Sequence, residues 1–267
     1  MPLKNMIVLG LLAGFYVAIG GILAVVVSNG AAPAIGSGPS RFLSGSVFSL
    51  GLILVILGGA ELFTGNNLMV IGLFSKRISL RSMLYNWTIV YLSNFVGSLL
   101  IVLLVVGAGL LLLEDGKVGL LSAEIAKTKI ELGFLKAFVR GIGANWLVCA
   151  AVWLAVGGRS NIDRIMGIYF PIMAFVALSF EHSVANMFLI PLGLVAALEP
   201  SVISEIGRSN LTDVTVLNFL IRNLLPVTLG NIVGGAVLVG GAYWYAYRYP
   251  PERPKETKKP EDISKAA

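Results

Sequence analysis

The chain has 267 residues, of which 57% are hydrophobic and only 13% are charged, and its mean hydropathy is +0.87. A soluble domain averages roughly 45–50% apolar and about 25% charged residues, so this composition excludes most soluble enzymes and all disordered classes. One histidine and one cysteine permit neither an internal disulfide nor a Cys/His metal cluster. The net charge of +6 is better explained by membrane topology than by nucleic-acid binding. A polytopic helical membrane protein is therefore the predicted class.

Six apolar segments are long enough to cross about 30 Å of hydrocarbon as helices. In chain order they cover residues 7–28, 47–74, 87–113, 134–156, 165–198 and 219–247. The second and fifth segments are too long for one straight helix and contain charged residues. Residues 1–248 form the predicted transmembrane domain, and the Pro/Lys/Glu-rich residues 249–267 are predicted to be a disordered cytoplasmic tail.

Basic residues in the short connections set the predicted orientation. Lys76, Arg77 and Arg81 follow the second segment, and Arg159 with Arg164 follows the fourth. Cytoplasmic loops carry an excess of Lys and Arg, so both termini are predicted to be cytoplasmic. The longer connections, 114–131 and 199–217, are mixed in sign and are predicted as loops on the other side.

Two motifs occur twice, in the same order. The pattern E-x4-N begins at Glu61 and again at Glu181, and N-x7-N-x-V-G begins at Asn86 and again at Asn223. Three spans per half is an odd number, so the halves, about 7–113 and 134–247, must have opposite orientations in the membrane. This is an inverted repeat, as in many channels and transporters.

The E-x4-N motifs fall inside the two overlong segments, which are predicted to be half-helix, loop, half-helix. His182 is the only histidine and lies at the second break, and an ionisable group at membrane depth indicates function. Other polar residues in and beside the breaks are interpreted as structural: they support the broken loops or pack between helices. This group is Glu61, Asn66, Glu181 and Asn186, together with the paired asparagines Asn86, Asn94, Asn223 and Asn231.

Four motifs carry a family resemblance. They are Gly59–Asn66 (GAELFTGN), Gly143–Cys149 (GANWLVC), Phe180–Phe188 (FEHSVANMF) and Pro226–Gly235 (PVTLGNIVGG). Together they resemble the signatures of the formate/nitrite transporter family. The resemblance implies an all-α fold of six transmembrane helices in an aquaporin-like inverted repeat, with spans two and five broken by loops. It also implies a homopentamer with one pore per protomer in the inner membrane.

The resemblance further implies a substrate pathway. His182 matches the central histidine and Thr64 the threonine that faces it, with Leu62 and Phe63 in the same broken loop. Asn145 matches an asparagine near the outer vestibule, and Lys129 a vestibule lysine. Matches to the hydrophobic constrictions are Phe48, Leu52 and Phe175.

A small monovalent anion cannot cross apolar constrictions cheaply, but its neutral acid can. Lys129 would concentrate the anion, and lower dielectric would favour its protonation because the charged form is disfavoured. The sequence allows two roles for His182: it donates the proton, or it only hydrogen-bonds the substrate. The expected function is a channel or proton-coupled transporter, with formate as the leading substrate and protons as partner.

Nitrite and hydrosulfide are alternatives within the same class, and an aquaporin-like pore for water or a neutral solute is a different one. The hypothesis of an aquaporin-like pore is disfavoured because the twin Asn-Pro-Ala turns expected of such a pore are absent from the sequence. An enzyme is disfavoured because neighbouring residues such as Glu181, His182 and Ser183 do not face each other on a helix. No Gly-rich phosphate motif occurs, and no cofactor or metal is expected.

Overall fold

The computed structural model describes residues 1–207 and 211–248, and the predicted disordered tail lies outside these residues. The helices, in chain order, are α1 (Leu3–Ser28), α2 (Ala31–Ile35), α3 (Ser37–Leu57), α4 (Val70–Phe74), α5 (Leu80–Gly107), α6 (Lys117–Ile130), α7 (Phe134–Gly157), α8 (Asn161–Ala177), α9 (Ser183–Ala196), α10 (Pro200–Ile206) and α11 (Val216–Tyr247). Short 3₁₀ turns cover Gly65–Met69 and Leu110–Leu112, and α11 contains π-helical stretches at Phe219–Leu224 and Val233–Gly241.

Five of the described helices, α1, α3, α5, α7 and α11, are long and apolar enough to cross a membrane. A further candidate is α9 with α10, which are bent by 91° at a short break. The helices start earlier than hydropathy predicts, α3 at Ser37 rather than 47 and α5 at Leu80 rather than 87. The added turns include polar and charged residues such as Arg41 and Arg81, and the Ser79 side chain caps α5 by accepting a hydrogen bond from Ser82 N. Hydropathy detects only the apolar part of such helices.

Both predicted breaks are present, and they have the same local geometry. After α3 the amide of Ala60 donates to Val55 O at 2.9 Å, and after α8 the amide of Phe180 donates to Phe175 O at 3.0 Å. Gly59 (φ 69°) and Ser179 (φ 57°) precede these two residues in the left-handed conformation. The chain therefore leaves each half-helix by the same turn, as expected for a structural repeat.

The predicted long loop at 114–131 is wrong, because most of it is the helix α6. This helix packs closely on α9: a Cβ added at Gly193 would lie 2.4 Å from Ala126 Cβ. Ser122, Ala123 and Ala126 are fully buried on this face. Its buried stripe is made of small residues, which give little hydropathy signal beside Glu and Lys. Part of the second predicted loop, 199–217, is likewise the helix α10.

The glycines of the N-x7-N-x-V-G motifs bring spans together in both halves. A Cβ at Gly97 would lie 2.3 Å from Leu11 O, and one at Gly234 would lie 2.2 Å from Ile142 O. No side chain fits at such distances, so each glycine allows two backbones to touch, as is common between membrane helices. α1 thus packs on α5 as α7 packs on α11.

Candidate functional site

Asn94 holds the first broken loop to two helices. Its Nδ2 donates to Gly10 O at 2.8 Å and to Glu61 O at 2.9 Å, while its Oδ1 accepts from the amide of Phe63 at 2.9 Å. These loop groups have no helical partner, and an unpaired backbone group inside a membrane is costly. One buried side chain therefore satisfies three backbone groups.

Asn231 does the same in the second half. Its Nδ2 donates to Gly141 O at 2.8 Å and to Glu181 O at 3.0 Å, and its Oδ1 accepts from the amide of Ser183 at 2.8 Å. Each contact has its counterpart at Asn94. The sequence repeat is thus also a repeat of hydrogen bonds.

The E-x4-N motifs close a second pair of matching networks. Asn66 Nδ2 donates to Glu61 Oε2 at 2.6 Å and to Asn86 Oδ1 at 2.9 Å. In the other half, Asn186 Nδ2 donates to Glu181 Oε2 and to Asn223 Oδ1, both at 2.7 Å. The structure therefore places these six residues where they tie each loop to the following half-helix and to a neighbouring span.

The halves differ in their charge. Lys129 Nζ lies 2.9 and 3.1 Å from the two carboxylate oxygens of Glu181, whereas Glu61 forms no ion pair within 4.0 Å among the described residues. Glu181 is 3% exposed, so its negative charge is desolvated and requires this partner. Lys129 is thus not a free cation, because it neutralises the carboxylate of Glu181 in the second broken loop.

His182 and Thr64 join the two broken loops at the centre of the protein. Thr64 Oγ1 lies 2.9 Å from His182 Nε2, and both residues are buried. His182 is also the N-cap of α9, because its Nδ1 accepts from the amide of Ala185 at 3.0 Å. Accepting this bond requires a lone pair on Nδ1, so the hydrogen bonds assign the proton of the neutral ring to Nε2, facing Thr64.

A cavity of about 600 Å³ leads to His182 from the face at which α1 ends, where Ser28 lines it. Phe48 and Phe175 line its inner end, with ring centroids 5.7 Å apart in an edge-to-face contact. The ring of Phe175 lies 5.8 Å from that of His182. Two of the three predicted constriction residues therefore stand together, next to the histidine.

The wall of this cavity carries more charge than the sequence analysis assigned to it. Besides Lys129 and Glu181, it contains Arg41, Glu124 and Arg140, so that one positive charge is in excess. The sequence predicted no pathway role for Arg41, Glu124 or Arg140. Arg140 stands inside the fourth apolar segment, where a charge is a functional signal that could have identified it.

Asn145, which the resemblance matches to an asparagine near the outer vestibule, does not line the cavity. It is fully buried, is absent from the cavity lining, and lies behind the Thr64 loop. Its Nδ2 is 2.9 Å from Asn67 Oδ1, 2.7 Å from Asn231 O and 3.3 Å from Thr64 O. Asn145 therefore joins the first loop to α11, and its partner Asn67 is a residue that sequence reasoning missed.

The other expected pathway residues, Leu52, Leu62 and Phe63, are buried and do not line the cavity. Phe63 packs edge-to-face on Tyr91 and Trp87, with centroids at 4.8 and 6.0 Å. These contacts fasten the first loop to α5. Among the described residues, no group of three or more His, Cys, Asp or Glu side chains could hold a metal ion.

Long apolar helices, two broken segments and a cavity that ends at a buried His–Thr pair define a multi-pass membrane transport protein rather than an enzyme. The family model described as Formate/nitrite transporter matches residues 1–245. The chain belongs to this family. The expected family and the expected all-α fold are thereby confirmed.

Individual relatives cover nearly the same region. The chain is 43% identical to a probable formate transporter of Methanothermobacter thermautotrophicus, over 92% of this chain and 90% of the relative. It is 40% identical to the formate channel FocA of Escherichia coli strain K12, over 92% and 87%. A solved pentameric formate channel with formate bound superimposes with a TM-score of 0.86 at 37% identity, over 92% of this chain and 98% of that one.

Proposed function

We propose that this protein conducts formate across the inner membrane, and that the anion crosses its narrowest part as the neutral acid. The observation that carries the proposal is the buried Thr64–His182 contact directly behind the Phe48–Phe175 constriction. It offers a polar group to a small solute at the point where the path is otherwise apolar. Its position between the two broken loops is the expected place for a transport site.

The constriction favours a small neutral species. An ion that leaves the cavity must lose its hydration to pass the aromatic rings of Phe48 and Phe175, which stand in edge-to-face contact. Desolvating an ion costs far more than desolvating a neutral acid. The excess positive charge of the cavity draws the anion in, and the falling dielectric favours its protonation before it reaches the rings.

His182 acts as a neutral hydrogen-bond donor in this proposal. A protonated ring would carry an N–H at Nδ1, where it would face the amide of Ala185 and break the cap of α9. A neutral ring cannot release its remaining proton at any working pH, so the proton comes from water in the cavity. Of the two roles left open by the sequence, this geometry supports hydrogen bonding by Nε2–H to the substrate oxygen.

The choice of formate and the assembly rest on the relatives. Two similar proteins carry formate in their names, and the superimposed channel is a pentamer with formate bound. Leu103 and Leu104 are at least 60% exposed in the single chain, so α5 presents an apolar face to lipid or to a neighbouring protomer. We propose a homopentamer with one pathway per protomer. The basic short connections support the proposal that both termini are cytoplasmic.

The test is uptake of labelled formate by proteoliposomes with an imposed pH gradient, acidic on the cavity side. Wild-type vesicles should take up formate faster than protein-free vesicles, and faster than they take up nitrite, hydrosulfide or acetate. Equal rates for wild-type and protein-free vesicles would refute the proposal. Nitrite or hydrosulfide faster than formate would keep the transport class and change the substrate.

Variants of the central pair test the mechanism. Asn at position 182 can still cap α9 and still donate an N–H, whereas Phe can do neither. We expect His182→Asn to retain clearly more uptake than His182→Phe, by about tenfold, the effect of roughly one hydrogen bond to substrate. Thr64→Val should reduce uptake, while Thr88→Val, whose hydroxyl bonds its own helix at Leu84 O, should not. Equal loss in both His182 variants would instead support a proton-donating histidine.

A further inference from the structure

A second pocket, of about 390 Å³, lies on the face at which α11 ends, between α4, α7 and α11. It shares no lining residue with the cavity at His182. The proposed transport pathway gives it no role.

Aromatic side chains form its walls. Trp153 of α7 packs on Tyr243 of α11 with ring centroids 4.4 Å apart, and Phe74 of α4 packs on Trp244 at 5.2 Å. Trp and Tyr are the residues that occupy the boundary between headgroups and acyl chains, because one end of each is apolar and the other polar. The walls therefore stand at the depth of the glycerol region of a lipid.

Two cations stand at the mouth, Lys76 and Arg248. The Arg248 guanidinium lies over two rings, 5.2 Å from Trp244 and 4.6 Å from Tyr245, which directs it along the aromatic wall. Lys76 follows α4 with φ 56°, a backbone conformation that favours glycine. A lysine at this position brings a charge to the pocket where the backbone alone would prefer no side chain.

The surrounding face is also basic. The connections on this side contain Arg77, Arg81, Arg159 and Arg164, and among their described residues Asp163 is the acidic one. The Asp163 carboxylate is already engaged, since it accepts from the amides of Arg159 and Ser160. In these two described connections basic residues outnumber acidic ones, which attracts a negatively charged ligand.

We propose that this pocket binds one anionic phospholipid, whose phosphate lies between Lys76 and Arg248 and whose glycerol and upper acyl chains lie against Trp153 and Trp244. The pocket combines cations at the water boundary with an apolar aromatic wall at membrane depth, and an anionic lipid has the same arrangement of charge and apolar chain. A free phosphate would use only the cations. Basic pockets between helices at a membrane face are a known way to select anionic headgroups.

The experiment is native mass spectrometry of the full-length protein, purified from bilayers of equal phosphatidylglycerol and phosphatidylcholine. We expect the wild type to retain phosphatidylglycerol over phosphatidylcholine. Lys76→Gly should lower that preference about fivefold, the effect of losing one interfacial cation. Its unfolding midpoint should stay equal or rise, because glycine fits the backbone there. Arg248→Gln should act in the same direction.

Two controls make the result specific. Lys76→Arg keeps the charge and should keep the preference, and Arg159→Gln removes a charge from the same face but outside the pocket and should also keep it. The proposal is overturned if the wild type retains both lipids equally, or if Lys76→Gly and Arg159→Gln have the same effect. It is also overturned if millimolar inorganic phosphate displaces the bound phosphatidylglycerol, because the ligand is then a soluble anion.

Discussion

Replacing Asn231 by Leu tests whether the duplicated asparagines hold the broken loops. Leu has the same branching and the same number of side-chain heavy atoms as Asn but cannot hydrogen-bond, so all three contacts of the side chain are lost. Gly141 O, Glu181 O and the Ser183 amide would then lie buried without these partners. The amide of Ser183 belongs to the first turn of α9, which has no helical acceptor for it.

The expected loss follows from the number of bonds. A side-chain hydrogen bond contributes about 1 kcal/mol in soluble proteins and about 0.6 kcal/mol between membrane helices. Three bonds from one buried residue therefore predict a loss of about 2–3 kcal/mol in the free energy of unfolding. For a chain of this size, that corresponds to a fall of roughly 4–12 °C in the unfolding midpoint.

The measurement is thermal unfolding of the purified protein in detergent. Asn218→Leu is the matched control: it lies on the same helix, but its Nδ2 donates to Asp213 O in an exposed loop. We expect that variant to change stability by less than about 0.5 kcal/mol. Asn94→Leu should behave as Asn231→Leu does, because the contacts are duplicated. If Asn231→Leu unfolds at the temperature of Asn218→Leu, the three hydrogen bonds of Asn231 contribute nothing to stability and the reasoning is refuted.

Two further predictions concern the Lys129–Glu181 ion pair and the close helix contact at Gly230. Lys129→Met leaves the carboxylate of Glu181 buried without its cation and should cost about 3 kcal/mol, whereas adding Glu181→Gln should restore part of that loss. Thermal unfolding of the single and double variants measures this, and a single variant as stable as the double would contradict it. Gly230→Ala should prevent normal folding or assembly, because its Cβ would lie 2.1 Å from Phe138 O. Gly107→Ala meets no atom within 4 Å and should be neutral or slightly stabilising, so equal yields of both variants in size-exclusion chromatography would argue against tight packing at Gly230.

The breaks could be predicted because polar residues in a membrane segment are costly without a use. Glu61 and Glu181 interrupt long apolar stretches, and their repetition with a downstream asparagine pair indicated a shared structure. The resemblance added that Thr64 and His182 face each other, and they do, at 2.9 Å. Spacing alone could not have given that contact, because the two residues lie on different halves of the chain.

The contents of the cavity were less predictable. Lys129 was expected as a vestibule cation that concentrates the anion. It lines the cavity with Arg41 and Arg140, and it is paired with Glu181, a contact that the sequence did not predict. Asn145 was expected near the outer vestibule, and it is fully buried, with its Nδ2 3.3 Å from Thr64 O. Which way a polar residue points depends on the rotation of its helix about its own axis. In a chain this apolar, hydropathy scarcely constrains that rotation, because both lipid and protein interior accept the same residues.

The sequence by itself therefore determined the membrane class, the approximate spans, the inverted repeat and the positions of both breaks. Each of these follows from the cost of placing charge or unpaired backbone in hydrocarbon, and this cost depends on residue type and position alone. Tertiary structure alone decided that α6 packs on α9, that Asn94 and Asn231 make matching contacts, and that Lys129 pairs with Glu181. Those features are contacts between segments far apart in the chain, and they exist only once glycine-mediated packing has brought the backbones within reach.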